Sequence, residues 1–120
     1  MDSATQTFFK DLLTKRLNEL YSEAEKRVAS LAATEENLPD PTDRAAADSD
    51  KNFMFSVWER EQKLIVKIRE ALQRIDEGGF SECEECGDDI GIERLKARPV
   101  TTLCVTCKRK QEAAERGRGA

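Results

Sequence analysis

Histidine is absent from these 120 residues. No site in the chain can therefore use imidazole as a metal ligand, a general base or a pH switch. Aromatics are scarce at 6%, with one Trp and one Tyr, so any globular core is small. Pro and Gly are few, and none falls between Ser3 and Glu36 or between Thr42 and Glu77. Two long stretches thus lack the residues that break helices. No apolar run approaches the roughly 18 residues a membrane span needs. Met1–Asp11 is polar and has no apolar core of a secretory leader, so the cytoplasm is the expected location. No nucleophile–base pair is evident, and nothing points to catalysis by the chain itself.

Four cysteines stand out against this background. Cys83 and Cys86 form one C-x-x-C pair, Cys104 and Cys107 form a second, and 17 residues separate them. That spacing reads as a zinc site. Each tight turn delivers two sulfurs, and four thiolates close a tetrahedral shell with no open position for water. The expected cofactor is one structural Zn²⁺. A pair of disulfides would need an oxidising compartment. A redox C-x-x-C usually sits in a βαβ context, which is missing here. Zinc alone names no function, because such modules serve nucleic-acid, protein and structural roles.

Charge is abundant at 37%, with a net value of −4. Its distribution is uneven. Residues 76–89 hold seven acids and no base, whereas residues 91–120 hold eight bases against three acids. The overall balance excludes a general DNA coat, and sequence-specific DNA binding is not expected.

Helical periodicity fills both unbroken stretches. Apolar residues fall at Phe9, Leu13, Leu17, Leu20, Ala24, Val28 and Leu31, in steps of three and four. The second stretch carries Phe53, Val57, Leu64, Ile68, Leu72 and Ile75. Such stripes predict amphipathic helices, each roughly 50 Å long. The short link Asn37–Pro41 makes them antiparallel neighbours. With the turn placed near residue 40, Leu17 faces Leu64 and Leu13 faces Ile68. A second row, Met54, Trp58, Ile65 and Ile68, leaves the register open by one. Phe53, Met54, Phe55, Val57 and Trp58 are apolar over more than one face. They make either a wide seam or a partner-facing anchor at Phe55 or Trp58. Gly78-Gly79 should end the second helix, and Gly87 suits a turn of positive φ. Ile90–Thr102 is expected to supply short strands and a loop, Val105–Arg116 a helix, and Gly117–Ala120 a frayed end.

The expected fold class is mainly α: a long antiparallel coiled-coil hairpin over residues 1–79, its tip near 38–45, then a four-cysteine zinc-ribbon module with a C-terminal helix over residues 80–120. One closed hairpin with one small module points to a monomer. At the tip, Asp40 is a good N-cap, Pro41 suits the first helical position, and Asp43 resembles a capping box with a short acid. Capping needs only one of the two acids. The pair could also present negative charge from the end of a rod into a confined site.

Several motifs together carry a resemblance. They are Asp40-Pro41-Thr42-Asp43-Arg44-Ala45-Ala46, Arg60-x-x-Lys63-Leu64-Ile65-x-Lys67-Ile68, Cys83-x-x-Cys86-Gly87, Ile90-Gly91-Ile92-x-Arg94-Leu95-x-Ala97-Arg98-Pro99 and Leu103-Cys104-x-x-Cys107-Lys108. In this order they resemble the DksA/TraR family over about Phe9 to Lys108. The resemblance implies a bacterial transcription regulator that binds RNA polymerase directly and inserts its coiled coil into the secondary channel. It implies that Asp40, Asp43 and Ala45 act near the polymerase active centre, Asp43 above all. Arg60 and Lys63 would touch the channel rim. Lys67, Arg98 and Lys108 match basic residues that in some members help bind the alarmone ppGpp, the signal of the stringent response. Cationic groups are natural phosphate partners. Equally, Arg94, Arg98, Lys108 and Arg109 could offset a Zn(Cys)₄ unit of formal charge −2, with Lys67 a solvated helix residue. Longer members carry a segment ahead of the hairpin, and this chain begins almost at its first helix. Contacts of that segment are therefore not expected here.

Four function classes follow. The first is a non-catalytic regulator that reshapes an initiation complex. The second is a transcript-cleavage stimulator, whose tip carboxylates would help hold a second Mg²⁺ in the polymerase. A stand-alone nucleic-acid module using the basic tail is a third, opposed by the net acidity. The fourth is a redox or chaperone role for the cysteines.

Overall fold

The computed structural model describes residues 1–35 and 41–119. Among these residues there are four helices: α1 (Ser3–Glu35), α2 (Pro41–Glu77), α3 (Ile92–Ala97) and α4 (Val105–Gly119). The mainly α fold class is the one the periodicity predicts. Among the described residues there is no strand, only an isolated antiparallel bridge between Glu82 and Asp89. The short strands expected over Ile90–Thr102 are not formed. Gly91, at φ 93, admits a tight entry into α3 instead. Leu95 on that helix is fully buried, so packing of a single leucine favours a turn of helix there.

Three helix ends have a local cause. Asp2 accepts a hydrogen bond from the Thr5 amide at 2.8 Å and so caps α1. Gly78 ends α2 at φ 91. The Gly79 amide donates to the Arg74 carbonyl at 3.0 Å and the Gly78 amide to that of Ile75 at 3.3 Å. That is the Schellman arrangement, and the left-handed residue it needs is the predicted glycine. α4 continues to Gly119 rather than fraying after Arg116. Arg116 and Arg118 in its last turn face the negative end of the helix dipole.

The chain divides into two compact units, one of Met1–Leu13 with Ile68–Ala120 and one of Thr14–Lys67. In the first, Phe9, Leu13, Ile68, Ala71, Ile75, Phe80, Ile90 and Leu95 are buried. The rings of Phe9 and Phe80 lie 5.2 Å apart. This contact ties α1 to the start of the cysteine-bearing segment, and Lys10 bonds Asp76 at 3.3 Å on the exposed side. In the second unit, Leu20 and Ile65 are buried, and Leu17, Ala24, Val57 and Leu64 are half-buried. Arg27 pairs with Glu61 within this seam.

Three expectations need correction. The register differs: a turn near residue 40 would set Lys10 opposite Ala71 and Arg27 opposite Met54. Their partners Asp76 and Glu61 lie about one to two turns farther along α2. The hydrophobic stripes also do not run to the tip, because Val28 is 60% and Phe53 is 65% exposed. Finally, the wide-seam reading of residues 53–58 fails for its aromatics. Phe55 and Trp58 stack on each other at 5.7 Å, on the exposed side. The Leu31 side chain lies outside the described residues.

Candidate functional site

The four cysteines meet. Their sulfurs all lie within 4.8 Å of one another, and those of Cys86 and Cys104 are 3.8 Å apart. A tetrahedron with Zn–S arms of 2.3 Å has edges of about 3.8 Å, so the spacing fits a single Zn²⁺. Cys83 is buried and Cys86 exposed, while Cys104 and Cys107 are intermediate.

Backbone turns build both halves. In the first, the Gly87 amide returns to the Cys83 carbonyl at 3.0 Å, with Gly87 at φ 76. The Cys83 amide is held by the Asp88 carbonyl at 2.8 Å. In the second, the Cys107 amide points at the Cys104 sulfur at 3.5 Å, and the Lys108 amide bonds the Cys104 carbonyl at 3.0 Å. Helix α4 therefore begins inside the second half. The Glu84 amide donates to the Thr102 carbonyl at 2.9 Å, which joins the halves.

The thiols feel this crowding unequally. Amide hydrogen bonds from Cys104 and then Cys86 pull the Cys83 thiol down to about 6. The Cys104 sulfur, then burial and the other sulfurs, push the Cys107 thiol up to about 12. At Cys86 the Asp88 amide favours the thiolate, but burial and the Cys83 sulfur outweigh it and the net shift is upward. Four thiolates so close repel one another unless a cation sits among them. When bound, zinc supplies that charge and four bonds that hold the fold.

The other predicted residues are placed as follows. Asp43 and Ala45 are exposed in the first turns of α2, and Asp40 lies outside the described residues. Arg60, Lys63 and Lys67 are exposed along α2. Arg98 is exposed just after α3, and the half-buried Lys108 donates from Nζ to Gln111 Oε1 at 2.9 Å. Arg94, one of the cations that could offset thiolate charge, donates from Nε to the Leu103 carbonyl at 3.0 Å and from Nη2 to Thr101 Oγ1 at 3.4 Å. Sequence reasoning missed this contact because neither acceptor is marked by residue type. It also missed Glu61, a charged residue at a seam position that leaves a gap in the apolar stripe.

Known proteins share these features. A profile described as the DnaK suppressor protein DksA N-terminal domain matches residues 5–75, and one described as the prokaryotic dksA/traR C4-type zinc finger matches residues 78–113. The RNA polymerase-binding transcription factor DksA of Salmonella typhimurium is 38% identical, over 97% of this chain and 77% of that protein. Its counterpart in Caulobacter vibrioides is 35% identical, over 97% and 82%. The structure of transcription factor DksA2 from Pseudomonas aeruginosa superposes with a TM-score of 0.88 at 40% identity, covering 97% of this chain and 89% of that one. With both profiles matched in order and four cysteines gathered at zinc spacing, the chain belongs to the DksA/TraR family.

Proposed function

We propose that this chain is a non-catalytic transcription regulator that binds RNA polymerase directly. The observation that carries this reading is identity over nearly the whole chain to proteins named for that activity. The hairpin enters the secondary channel and presents its acidic tip near the active centre. There it shifts the balance between initiation states rather than forming or breaking a bond. Asp43 is the acting residue, supported by its exposure at the start of α2, and Asp40 and Ala45 share its role. Arg60 and Lys63 meet the channel rim, where exposed cations can steer and orient the complex. Lys67, Arg98 and Lys108 bind the phosphates of ppGpp between the regulator and polymerase. A polymerase partner also accounts for a cytoplasmic location.

The test is the lifetime of open complexes at a stable-RNA promoter, with polymerase from the same source. The unsubstituted chain should shorten it, and Asp43→Asn should lose most of that effect while still binding polymerase. ppGpp should deepen the effect, and Lys67→Ala should blunt that response. An unchanged lifetime despite binding would refute initiation control. Stimulated cleavage in backtracked complexes would then favour the cleavage factor, whose tip carboxylates serve a metal.

A further inference from the structure

Helix α3 sits between the two halves of the zinc site in sequence and contributes no sulfur. Leu95 anchors it in the core with no exposed surface. Its neighbour Arg94 is half-buried and reaches across to the segment leading into Cys104. The Leu103 carbonyl accepts from Arg94 Nε at 3.0 Å and from the Thr101 hydroxyl at 3.2 Å. That hydroxyl in turn accepts from Arg94 Nη2 at 3.4 Å and from the Leu103 amide at 3.5 Å. One guanidinium thus grips a carbonyl and a hydroxyl two residues apart. The next residue in the chain is Cys104. On the other side, the Thr102 carbonyl is already taken by the Glu84 amide, one residue after Cys83.

We infer that Arg94 is the positioning residue of the metal centre, a fork that fixes residues 101–103 so that Cys104 and Cys107 meet the zinc held by Cys83 and Cys86. Geometry, not charge, is its contribution. The two nitrogens bond neutral oxygens, and planar two-point recognition is what a guanidinium does and an ammonium does not. A ligand pair on a segment held at one end only would find the ion at a cost in order. Held at Thr101, Thr102 and Leu103, the second half is preorganised, as residues behind metal ligands commonly arrange.

The test uses the full zinc-loaded chain and follows zinc transfer to a chromogenic chelator. Arg94→Met should release zinc about 10–100-fold faster. Arg94→Lys keeps the charge, loses the fork, and should also release faster. Thr101→Val should accelerate release. Combined with Arg94→Met it should add little, because both remove one linkage. The cobalt-loaded Arg94→Met protein should show shifted d–d bands, a change that a loss of global stability alone would not produce. If Arg94→Lys releases zinc at the parent rate, charge suffices and the fork is refuted. If Arg94→Met folds poorly, Thr101→Val decides: faster release supports the inference, and the parent rate overturns it.

Discussion

Asp2 shows how much one exposed side chain sets locally. It accepts hydrogen bonds from the Thr5 hydroxyl and then the Thr5 amide, which hold its carboxyl below the ordinary value of 3.8. A depressed folded-state value means the carboxylate form helps hold the first turn of α1. That help is present above pH 3.8 and disappears as pH falls through the lower folded value. Asp2→Ala should therefore speed amide exchange at Thr5 and Gln6 at neutral pH, and match the parent chain in strong acid. Equal exchange at neutral pH would mean the cap does not act. Sequence made this residue legible only in retrospect. Aspartate before a helix is a common cap, but the same argument fitted Asp40 and Asp43, where two acids competed for one capping role. By contrast, the cysteines needed little beyond the compartment and the missing βαβ context that set disulfides and redox pairs aside. Residue type and spacing point to tetrahedral sulfur ligation, and the gathered sulfurs fit it.

At the scale of elements, α1, α2 and the glycine end of α2 followed from periodicity and residue type, while α3, the end of α4 and the register between α1 and α2 did not. Register depends on which residues share the seam, and the seam contains a charged pair. Arg27 and Glu61 interrupt the apolar stripes, so pairing leucines and isoleucines alone gave a different offset between the helices. Glu61 is only 11% exposed, and its Oε2 is buried with no hydrogen-bond partner among the described residues. Removing one member of such a pair strands the other, whereas an apolar pair repacks. Glu61→Leu alone should lower the melting temperature more than the double substitution Arg27→Met with Glu61→Leu. A single variant as stable as the double would show that the pair lies open to water. The exposed Phe55–Trp58 stack taught a similar lesson. Apolar composition marks a residue as costly in water, not which surface removes it from water.

For the molecule as a whole, the two units depend on different things. The unit of Met1–Leu13 and Ile68–Ala120 contains all four cysteines, and the unit of Thr14–Lys67 contains none. Zinc sites of this kind contribute apparent binding energies of about 10–16 kcal/mol near neutral pH, which is folding energy when no site exists in the unfolded chain. Chelation should thus raise amide exchange across residues 83–107 first. Amides of α2 within residues 41–67 should keep their former rates. Simultaneous loss in both would mean one cooperative unit, not two. The four-cysteine cluster was legible from its spacing, but α3 and the Arg94 fork were not, because both arise from tertiary contacts among residues with no motif of their own.

The ring contact between Phe9 and Phe80 also sets an order of events during synthesis. Phe9 is made first, and its partner 71 residues later. At roughly 5–20 residues per second the wait is about 4–14 s. Through that interval Phe9 lacks this ring, and Ile68, Ala71 and Ile75 of the same core are made only near its end. Arg27 and Glu61, closer in sequence, can meet sooner. Long-range closure of this kind is slow for the same entropic reason in any chain. Until then this helix would keep part of its apolar stripe bare, and that is when a chaperone would have most to hold.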